Sequence, residues 1–347
     1  MKAATVRRYG GPDVITLEDL PQPEPKPVEV RVRVTAAGVT TADARLRAND
    51  APRGFGLILR LITGVIRPRN PVPGMEFAGV VDATGTGVTG FLPGQRVFGT
   101  TGMSGGAHAE FLTIRADGRL LHQPDSLSDA EAAAFFFGGL TAADFLLDKA
   151  GLRPGERLLI NGATGSVGSA ALQIARSVGA EVTAVAGRAN HALARKLGAD
   201  AVIDYGAGPI SGQWDVILDV VGTLPYPRAK GLLAEAGRLL PVTATLAEQI
   251  GAALRPRRGT HRISAGVIGE GRAAMERLIR LHRDGVYRPH LGRTLPFAEV
   301  RAAHALAGSR HKQGNVVIVM AQTAASGAQV RSATGVNLRD PVDGGLG

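Results

Sequence analysis

The stretch that decides the fold is RLLINGATGSVGSAALQIARSVGAEVTAVAG, from Arg157 to Gly187. Its apolar run Leu158 to Ile160 predicts a buried parallel strand. A glycine turn, GATGSVG, follows at Gly162 to Gly168, and the alanine-rich segment Ser169 to Val178, which lacks proline, predicts a helix. Glu181 to Ala186 predicts a second strand. Strand, glycine turn, helix and strand within about thirty residues is the context in which a dinucleotide-binding pattern is meaningful.

The turn has the pattern A-x-G-x-x-G, with Ala163 where the usual pattern has its first glycine. Gly165 lets the backbone approach a pyrophosphate, and Gly168 lets the helix pack closely against the strand. The helix N-terminus offers free N–H groups and the positive end of its dipole to phosphates. We therefore predict that the turn binds a dinucleotide through Ala163, Thr164, Gly165, Ser166, Val167 and Gly168.

Composition excludes several classes of protein. The 347 residues, 44% of them hydrophobic, suffice for one large or two medium globular domains. The chain contains no cysteine, which excludes disulfides and thiolate zinc sites and fits a cytoplasmic location. No run of eighteen apolar residues occurs, so the sequence predicts no membrane span. The N-terminus lacks the apolar region of a secretory signal. We expect a cytoplasmic protein without a membrane partner.

The chain is strongly basic, with a formal net charge of +10 and a pI of about 10.6. Six of the 40 basic residues are lysines, so 34 are arginines. These charges are scattered apart from one cluster, which has no interleaved aromatic residues to stack bases; its members are Arg255, Arg257, Arg258 and Arg262. We expect an arginine-rich solvated surface or a phosphate-facing rim, and no nucleic acid as the main partner.

The pattern of elements changes along the chain. Residues 1–121 hold many short β-patterns punctuated by Gly and Pro, typical of a small barrel-like domain. Residues 122–290 alternate between helix and strand, which predicts a doubly wound parallel sheet, and residues 291–321 return to the first pattern. Within 122–290, Asp125 to Asp148 predicts a helix with Ser128 as its candidate cap and Glu131 three residues later, and Ala201 to Asp204 predicts a strand. Residues 322–347 have few large apolar side chains and predict a disordered tail. The segment Asn49 to Pro73 is either a lid beside a cleft or a surface excursion.

Several landmarks together resemble the medium-chain dehydrogenase/reductase superfamily. They are GVTTAD at Gly38–Asp43, PGMEFAGVV at Pro73–Val81, PGQRV at Pro93–Val97, LTA at Leu140–Ala142, PGE at Pro154–Glu156 and the glycine turn. Among subfamilies, the chain is most similar to the zinc-free quinone oxidoreductase-like members. The resemblance implies an α/β fold with a GroES-like, β-barrel-type catalytic domain at 1–121 and 291–321. It also implies a Rossmann NADPH-binding domain at 122–290.

Departures from the family pattern bear on the metal and on the substrate. Zinc alcohol dehydrogenases place a cysteine near position 40 and a histidine at position 75, where this chain has Thr40 and Met75. Asp43 and Glu76 remain, but two carboxylates without a nitrogen or sulfur partner make a poor tetrahedral zinc site. We therefore predict no bound metal. Quinone oxidoreductases often carry Asn at position 40 and Tyr at position 45, and here Arg45 stands at the second.

The resemblance suggests three catalytic residues. Thr141 matches the family threonine near the nicotinamide ribose, with a structural hydroxyl at a helix start as the alternative. Thr40 lies either near the nicotinamide or in a turn at the end of a strand. Arg45 either holds an acidic group of the substrate or is simply solvated. His108, in GGAHAEF, is an enolate-protonation candidate, but a packed structural histidine is favoured because the sequence names no partner for it.

The end of the second strand indicates the cofactor. NAD enzymes place an acidic residue there to bind the ribose 2′-hydroxyl, whereas this strand ends in Ala186-Gly187-Arg188. A 2′-phosphate suits Arg188 and also Tyr205, at the end of the third strand. We predict NADPH as the cofactor, and the contacts expected beyond the glycine turn are Thr141, Gly187, Arg188, Tyr205, Val221 and Gly222.

These observations predict an NADPH-dependent, zinc-free reductase of quinones or α,β-unsaturated carbonyl compounds, acting on a small molecule. An NADP-dependent alcohol or aldehyde oxidoreductase, relaying protons through Thr40 or His108, is one alternative. A non-catalytic NADPH-binding or RNA-binding protein that kept the fold is another. A homodimer is compatible with the sequence.

Overall fold

The computed structural model describes residues 1–254, 261–309 and 312–321. The predicted tail at 322–347 and three arginines of the basic cluster, Arg255, Arg257 and Arg258, lie outside the described residues. Two large sheets and one small sheet carry the described architecture.

The first third of the chain is mainly β-structure, as the sequence predicts. Its strands are β1 (Lys2–Val6), β2 (Ile15–Asp19), β3 (Glu29–Val39), β4 (Glu76–Thr84), β5 (Arg96–Thr100), β6 (Phe111–Arg115) and β7 (Leu120–His122). Its two α-helices are α1 (Thr41–Ala48) and α2 (Gly56–Thr63).

Helices and strands then alternate. The helices are α3 (Asp129–Ala132), α4 (Phe136–Ala143), α5 (Ser166–Val178), α6 (His191–Lys196), α7 (Tyr226–Ala229), α8 (Leu246–Leu254) and α9 (Arg272–Arg283). The strands are β8 (Arg157–Asn161), β9 (Glu181–Ala186), β10 (Ala201–Asp204), β11 (Trp214–Asp219), β12 (Leu233–Pro241) and β13 (Arg262–Ile263). The chain returns through β14 (Leu291–Pro296), α10 (Val300–Gly308) and β15 (Asn315–Val319).

The seven-stranded sheet is organised around β3. The spatial order is β14-β15-β3-β4-β5-β7, and β6 also pairs with β3. Val30, Val32 and Val34 of β3 are buried, as expected from alternation with period two. Strand β15 runs antiparallel to β3, with Val316 opposite Val39. The return segment is therefore part of the sheet that begins the chain.

The six-stranded sheet is parallel and has the order β10-β9-β8-β11-β12-β13. This is the 3-2-1-4-5-6 order of a doubly wound sheet, with its switch point between β8 and β11. The predicted α/β class is confirmed. The domain limits at 121/122 and 290/291 stay predictions.

Local structure differs from the sequence expectation in two places. Helix α5 begins at Ser166 and not at Ser169, because Gly165 is its N-cap residue. The stretch 125–148 is not one helix. It forms α3 and α4, and a π-helical turn, Asp144–Ala150, follows α4 directly. The predicted cap is confirmed, since Ser128 and Glu131 form a capping box at the start of α3.

One hydrophobic core joins the two large sheets. It contains Ile160 and Leu218 of the parallel sheet and extends to Ala78, Phe98 and Val317 of the other sheet. This shared core fixes the position of the crevice between the sheets. In the part of the chain that the structure describes, no helix has the length and apolar character needed to cross a bilayer.

Candidate functional site

The glycine turn lies between β8 and α5 and has two different glycines. A Cβ on Gly168 would lie 2.2 Å from the Gly162 carbonyl oxygen, so only glycine allows α5 to pack this closely. A Cβ on Gly165 would meet only that same oxygen, at 3.7 Å, so one side of Gly165 is open. Gly165 caps α5 without a side-chain hydrogen bond, which leaves the first N–H groups of the helix available to an anion. This geometry fits a dinucleotide pyrophosphate.

The return segment, residues 291–321, contacts the glycine turn through Gly314 and Asn315. Gly314 forms a parallel bridge with Gly165, and its N–H donates to the Thr164 carbonyl at 2.8 Å. The Ser166 hydroxyl donates to Asn315 Oδ1 at 2.5 Å. No sequence pattern predicts these contacts, which join positions about 150 residues apart and support the turn in the absence of any side-chain cap on α5.

The end of β11 provides the second wall of the crevice. The Asp219 carboxylate accepts hydrogen bonds from the Val221, Gly222 and Leu224 N–H groups at 3.2, 2.9 and 2.8 Å. It also accepts one from Asn161 Nδ2 at 2.8 Å, which links the ends of β8 and β11. Asp219 is therefore structural. It shapes the loop whose Val221 side chain lies over Gly162, within 2.5 Å of the position of an added Cβ.

The structure brings Gly187, Arg188 and Tyr205 together at the carboxyl edge of β9 and β10. The Tyr205 hydroxyl lies 2.9 Å from where a Cβ on Gly187 would be. The Arg188 side chain is 89% exposed and its Nε is 3.7 Å from Asp204 Oδ2. No carboxylate stands at the end of β9 itself, but Asp204 lies opposite Ala186 in the register of β10 with β9. Parallel pairing therefore adds an acidic group to this edge.

Thr40 is buried and caps helix α1. Its hydroxyl donates to Asp43 Oδ2 at 2.6 Å and accepts from the Asp43 N–H at 3.0 Å. Met75 Sδ lies 4.0 Å from the same hydroxyl. The Thr40 hydroxyl proton is thus already committed to Asp43, which makes Thr40 a helix cap in this state of the protein.

Glu76 is fully buried at the N-terminus of α4. Its Oε1 accepts hydrogen bonds from the Phe136 and Phe137 N–H groups, both at 2.6 Å. Burial raises the pKa of Glu76 to about 8, although these two hydrogen bonds oppose the shift. The side chain thus joins β4 to α4.

The donor set around Thr40 does not fit zinc. Thr40 and Met75 replace the cysteine and histidine expected there, and the nearby carboxylates Asp43 and Glu76 already accept hydrogen bonds from backbone N–H groups. Among the described residues, no group of three or more His, Cys, Asp or Glu side chains is arranged to hold a metal ion.

Thr141 is buried on α4, and its hydroxyl donates to the Phe137 carbonyl at 2.7 Å. It lies in the interior of the helix and not at its start. Helix α4 approaches the glycine turn closely, since a Cβ on Gly138 would lie 2.5 Å from Ser166 Oγ. Residues three apart share one helix face, so Thr141 follows Gly138 along the face of α4 that borders the turn.

Arg45 is half-buried beside a cavity of about 300 Å³ between the two parts of the chain. From the first part, the cavity is lined by Arg45, Asp50 and Pro52. At the carboxyl edge of the parallel sheet it is lined by Val221, Gly222, Thr243 and Glu248, among others. The structure thus brings Arg45 together with Val221 and Gly222, in a crevice where doubly wound sheets bind ligands.

His108 is fully buried and has the partner that the sequence could not name. Its Nε2–H donates to the Gly38 carbonyl at 2.9 Å, so its Nδ1 accepts from His304 Nε2–H at 3.2 Å. Burial lowers the pKa of both rings, and for His304 the neighbouring His108 and Arg47 add to the effect. The pair is neutral and structural.

Lys312 is a cation that sequence reasoning missed. It lies two residues before Gly314, in the segment that touches the glycine turn, and is half-buried. Burial lowers the pKa of Lys312 to about 8, and the carboxyl groups of Asp43 and Glu76 oppose this shift. The only sequence signal was a lone lysine just before the last strand.

Family models match both parts of the chain. A model described as "Alcohol dehydrogenase GroES-like domain" matches residues 26–125. A model described as "Zinc-binding dehydrogenase" matches residues 197–318.

Several curated relatives are oxidoreductases by name. The chain is 32% identical over 203 residues to a chloroplastic quinone oxidoreductase, QR1, of Triphysaria versicolor, covering 53% of this chain and 61% of that protein. It is 28% identical over 344 residues to the quinone oxidoreductase of Sus scrofa, covering 92% and 98%. It is 30% identical over 278 residues to a mitochondrial NAD(P)H oxidoreductase, RTN4IP1, of Mus musculus, covering 71% and 69%. The matched segment thus spans about three-fifths of the Triphysaria protein.

Solved structures share the fold over almost the whole chain. The quinone oxidoreductase of Coxiella burnetii superposes with a TM-score of 0.81 at 27% identity, covering 92% of this chain and 99% of that one. A mycobacterial protein, Rv1454c, solved as a complex with NADPH, has a TM-score of 0.74 at 25% identity, covering 92% and 99%.

Proposed function

Since the chain belongs to the medium-chain dehydrogenase/reductase superfamily, among its quinone oxidoreductase-like members, we propose that it is an NADPH-dependent, zinc-independent reductase. Its substrates are quinones or α,β-unsaturated carbonyl compounds. The observation that carries the proposal is the crevice at the switch point of the parallel sheet. Glycine turn, Val221-Gly222 loop and Arg45 cavity border it together, with no zinc-type donor set at Thr40 and Met75.

The residues of this chain bind and orient both reactants. Gly165 and the first N–H groups of α5 would hold the pyrophosphate, and Arg188 with Tyr205 would hold the 2′-phosphate. When bound, the cofactor supplies the hydride. Val221 and Thr141 would lie beside the nicotinamide, and Arg45 would face the substrate from the cavity that it lines.

The substrate class follows from how the developing negative charge is stabilised. A metal ion contributes several kcal/mol to a developing alkoxide, whereas a neutral hydrogen bond contributes about 1 kcal/mol net. Quinones and enones spread this charge through their own conjugation and need less help than a saturated aldehyde. The cations Arg45 and Lys312 supply long-range electrostatic support.

The test compares kcat/KM with NADPH for a small quinone or enone and for a saturated aldehyde of similar size. We expect the conjugated substrate to be turned over faster. Faster turnover of the aldehyde would favour the alcohol or aldehyde oxidoreductase instead. NADPH binding without turnover of either substrate, together with salt-dependent RNA binding that NADPH abolishes, would favour a binding protein.

A further inference from the structure

Helix α2 and the three residues after it expose an unpartnered apolar surface. None of the helix residues is buried. Leu57 is 72% exposed, Leu61 55% and Ile66 89%, and the other large apolar side chains on this surface are Ile58, Ile62 and Val65. Surface helices of globular proteins normally turn their apolar stripe toward the core. We call this set of six side chains the α2 surface.

Cations flank the α2 surface, and acidic residues are missing from it. Arg53, Arg60, Arg67 and Arg69 are all exposed. No Asp or Glu occurs between Asp50 and Glu76 in the sequence, so this segment alone contributes four of the ten excess positive charges. An aliphatic surface ringed by arginines has the chemistry of a segment that lies at a membrane–water interface.

The segment is fixed to the protein, so its exposure is a feature of the fold. The Tyr9 hydroxyl donates to the Gly64 carbonyl at 2.7 Å. The Arg69 N–H donates to the Thr63 carbonyl at 2.7 Å. Asn70 Nδ2 donates to the Ser104 carbonyl at 2.8 Å. The Tyr9 and Asn70 bonds hold the second half of the excursion against the body of the molecule, and the Arg69 bond closes that half on itself.

A cavity of about 350 Å³ lies beneath the α2 surface. Ile62 and Thr63 line it on the helix side, and Asp43, Met75 and Met103 line it on the other. Met75 contacts Thr40, so the cavity extends from the exposed helix to the residues beside the candidate site.

We propose that the α2 surface docks on an anionic lipid bilayer, with its aliphatic side chains among the acyl chains and Arg53, Arg60 and Arg67 at the phosphate level. Each arginine near an anionic leaflet gains an attraction that falls off within a Debye length. A second copy of the chain is a poorer occupant, because a two-fold contact places the same arginines of both copies against each other. The expectation of no membrane partner rests on the absence of membrane spans, which does not exclude adsorption to a membrane surface.

The cavity beneath the helix then opens toward the lipid, so a lipid-soluble quinone or enone can enter without crossing water. This consequence rests on the proposed function, whereas the docking itself does not. The test therefore measures binding and turnover separately.

The experiment measures sedimentation of the full chain with vesicles of phosphatidylcholine alone and with phosphatidylglycerol in equal parts. We expect binding to the anionic vesicles only. Leu57→Gln/Leu61→Gln/Ile66→Gln should weaken it by roughly tenfold or more, since the buried apolar area is lost. Arg60→Gln/Arg67→Gln should weaken it by about 25-fold, at a factor of about five per arginine.

Matched controls test whether the location matters. Arg8→Gln/Arg283→Gln removes the same net charge from exposed positions elsewhere, and Val267→Gln removes an apolar side chain that is 93% exposed. Both should bind like the wild type, and all variants should reduce a water-soluble quinone as the wild type does. Equal losses in the controls, equal binding to neutral vesicles, or no vesicle binding at all would overturn the proposal. So would a dimer, or a complex with an acidic protein, that needs the α2 surface while vesicles do not bind.

Discussion

At the scale of single residues, we propose that cofactor choice depends on two neighbouring side chains of opposite charge. Arg188 is exposed and free to turn toward a 2′-phosphate, while Asp204 lies 3.7 Å from its Nε. An exposed pair of this kind contributes little to stability, so a phosphate can replace the carboxylate as the partner of the arginine. In this proposal the same Asp204 would repel the phosphate and moderate the preference for NADPH.

The first prediction concerns this pair. Arg188→Ala should weaken NADPH binding by about 10- to 150-fold, because a hydrogen bond to a charged group contributes about 1.5–3 kcal/mol, and should leave NADH binding nearly unchanged. Asp204→Asn, which keeps an oxygen for the Gly206 N–H, should raise the NADPH preference. Calorimetric titration with both cofactors measures this, with exposed Arg195→Ala as the charge-matched control. Equal binding of NADPH and NADH by the wild type would contradict the assignment.

The buried histidine pair predicts a pH dependence of stability. Burial lowers the folded-state pKa of His304 well below its ordinary value of 6.5, so the unfolded chain binds more protons in this range. The contribution of the pair to the free energy of unfolding is therefore fully present above about pH 6.5. It falls as the pH drops below this value, by up to about 1.4 kcal/mol per pH unit for each histidine.

His304→Gln keeps an N–H donor for His108 but removes one titrating group. Denaturant unfolding between neutral and mildly acidic pH should show a shallower fall in the free energy of unfolding. His122→Gln changes an exposed histidine and should leave the slope as it is. An unchanged slope in His304→Gln would show that the pair does not titrate on unfolding.

Lys312 predicts a pH dependence of activity. With its pKa lowered to about 8 by burial, the amine is charged at neutral pH and loses its proton above pH 8. If its charge supports the developing negative charge on the substrate, kcat/KM should fall above about pH 8. Lys312→Met should lower kcat/KM at neutral pH and remove that step, with little change in the Kd for NADPH. The exposed Lys230→Met is the matched control, and an unaltered pH profile in Lys312→Met would exclude this role.

At the scale of elements, the two glycines of the turn have different roles, since one allows close helix packing and the other leaves room for a ligand. Gly168 faces the Gly162 carbonyl, and Gly165 faces open space. The N-terminus of α5 is thus held by the strand on one side and by Gly314 and Asn315 of the return segment on the other.

Two alanine variants should distinguish these roles. Gly165→Ala should leave the thermal midpoint close to that of the wild type and weaken NADPH binding strongly, because its methyl group occupies the approach to the pyrophosphate. Gly168→Ala should lose about 1–3 kcal/mol of stability as well, because its methyl group would meet a backbone oxygen. Thermal unfolding and cofactor titration measure both effects. If Gly165→Ala kept full affinity for NADPH, the turn would not be the pyrophosphate site.

At the scale of the whole molecule, strands from the first part of the chain and from the return segment form one sheet, and the crevice lies between the two large sheets. Strand β15 pairs with β3, and the same segment contacts the glycine turn. Glu76 of β4 receives both N–H groups that begin α4. These links hold the cavity walls, which come from residues about 200 positions apart, in a fixed relation.

The whole chain also predicts zinc independence. No cysteine exists in the sequence, and the carboxylates beside Met75 are hydrogen-bonded to backbone N–H groups. Elemental analysis of active protein should find no stoichiometric zinc, and chelators should not inhibit. One zinc per chain, with activity lost on chelation, would show that a donor set has been overlooked.

The sequence by itself determined the local elements. The strand boundaries at Glu181–Ala186 and Ala201–Asp204 and the cap at Ser128 agree with those expected from it. Apolar periodicity, glycine positions and capping residues act over a few residues, so they can be recognised in the sequence alone. The resemblance of several motifs to those of the superfamily predicts the fold class.

Only the tertiary structure decided how distant residues meet. His108 and His304 are 196 positions apart, Asp204 reaches Arg188 only because β10 lies beside β9, and Gly314 meets Thr164 only because β15 closes the first sheet. The exposure of α2 was equally hidden, because an apolar helical pattern is the same whether or not the fold covers it. Pairing, burial and exposure depend on which elements pack together, and no local pattern encodes that choice.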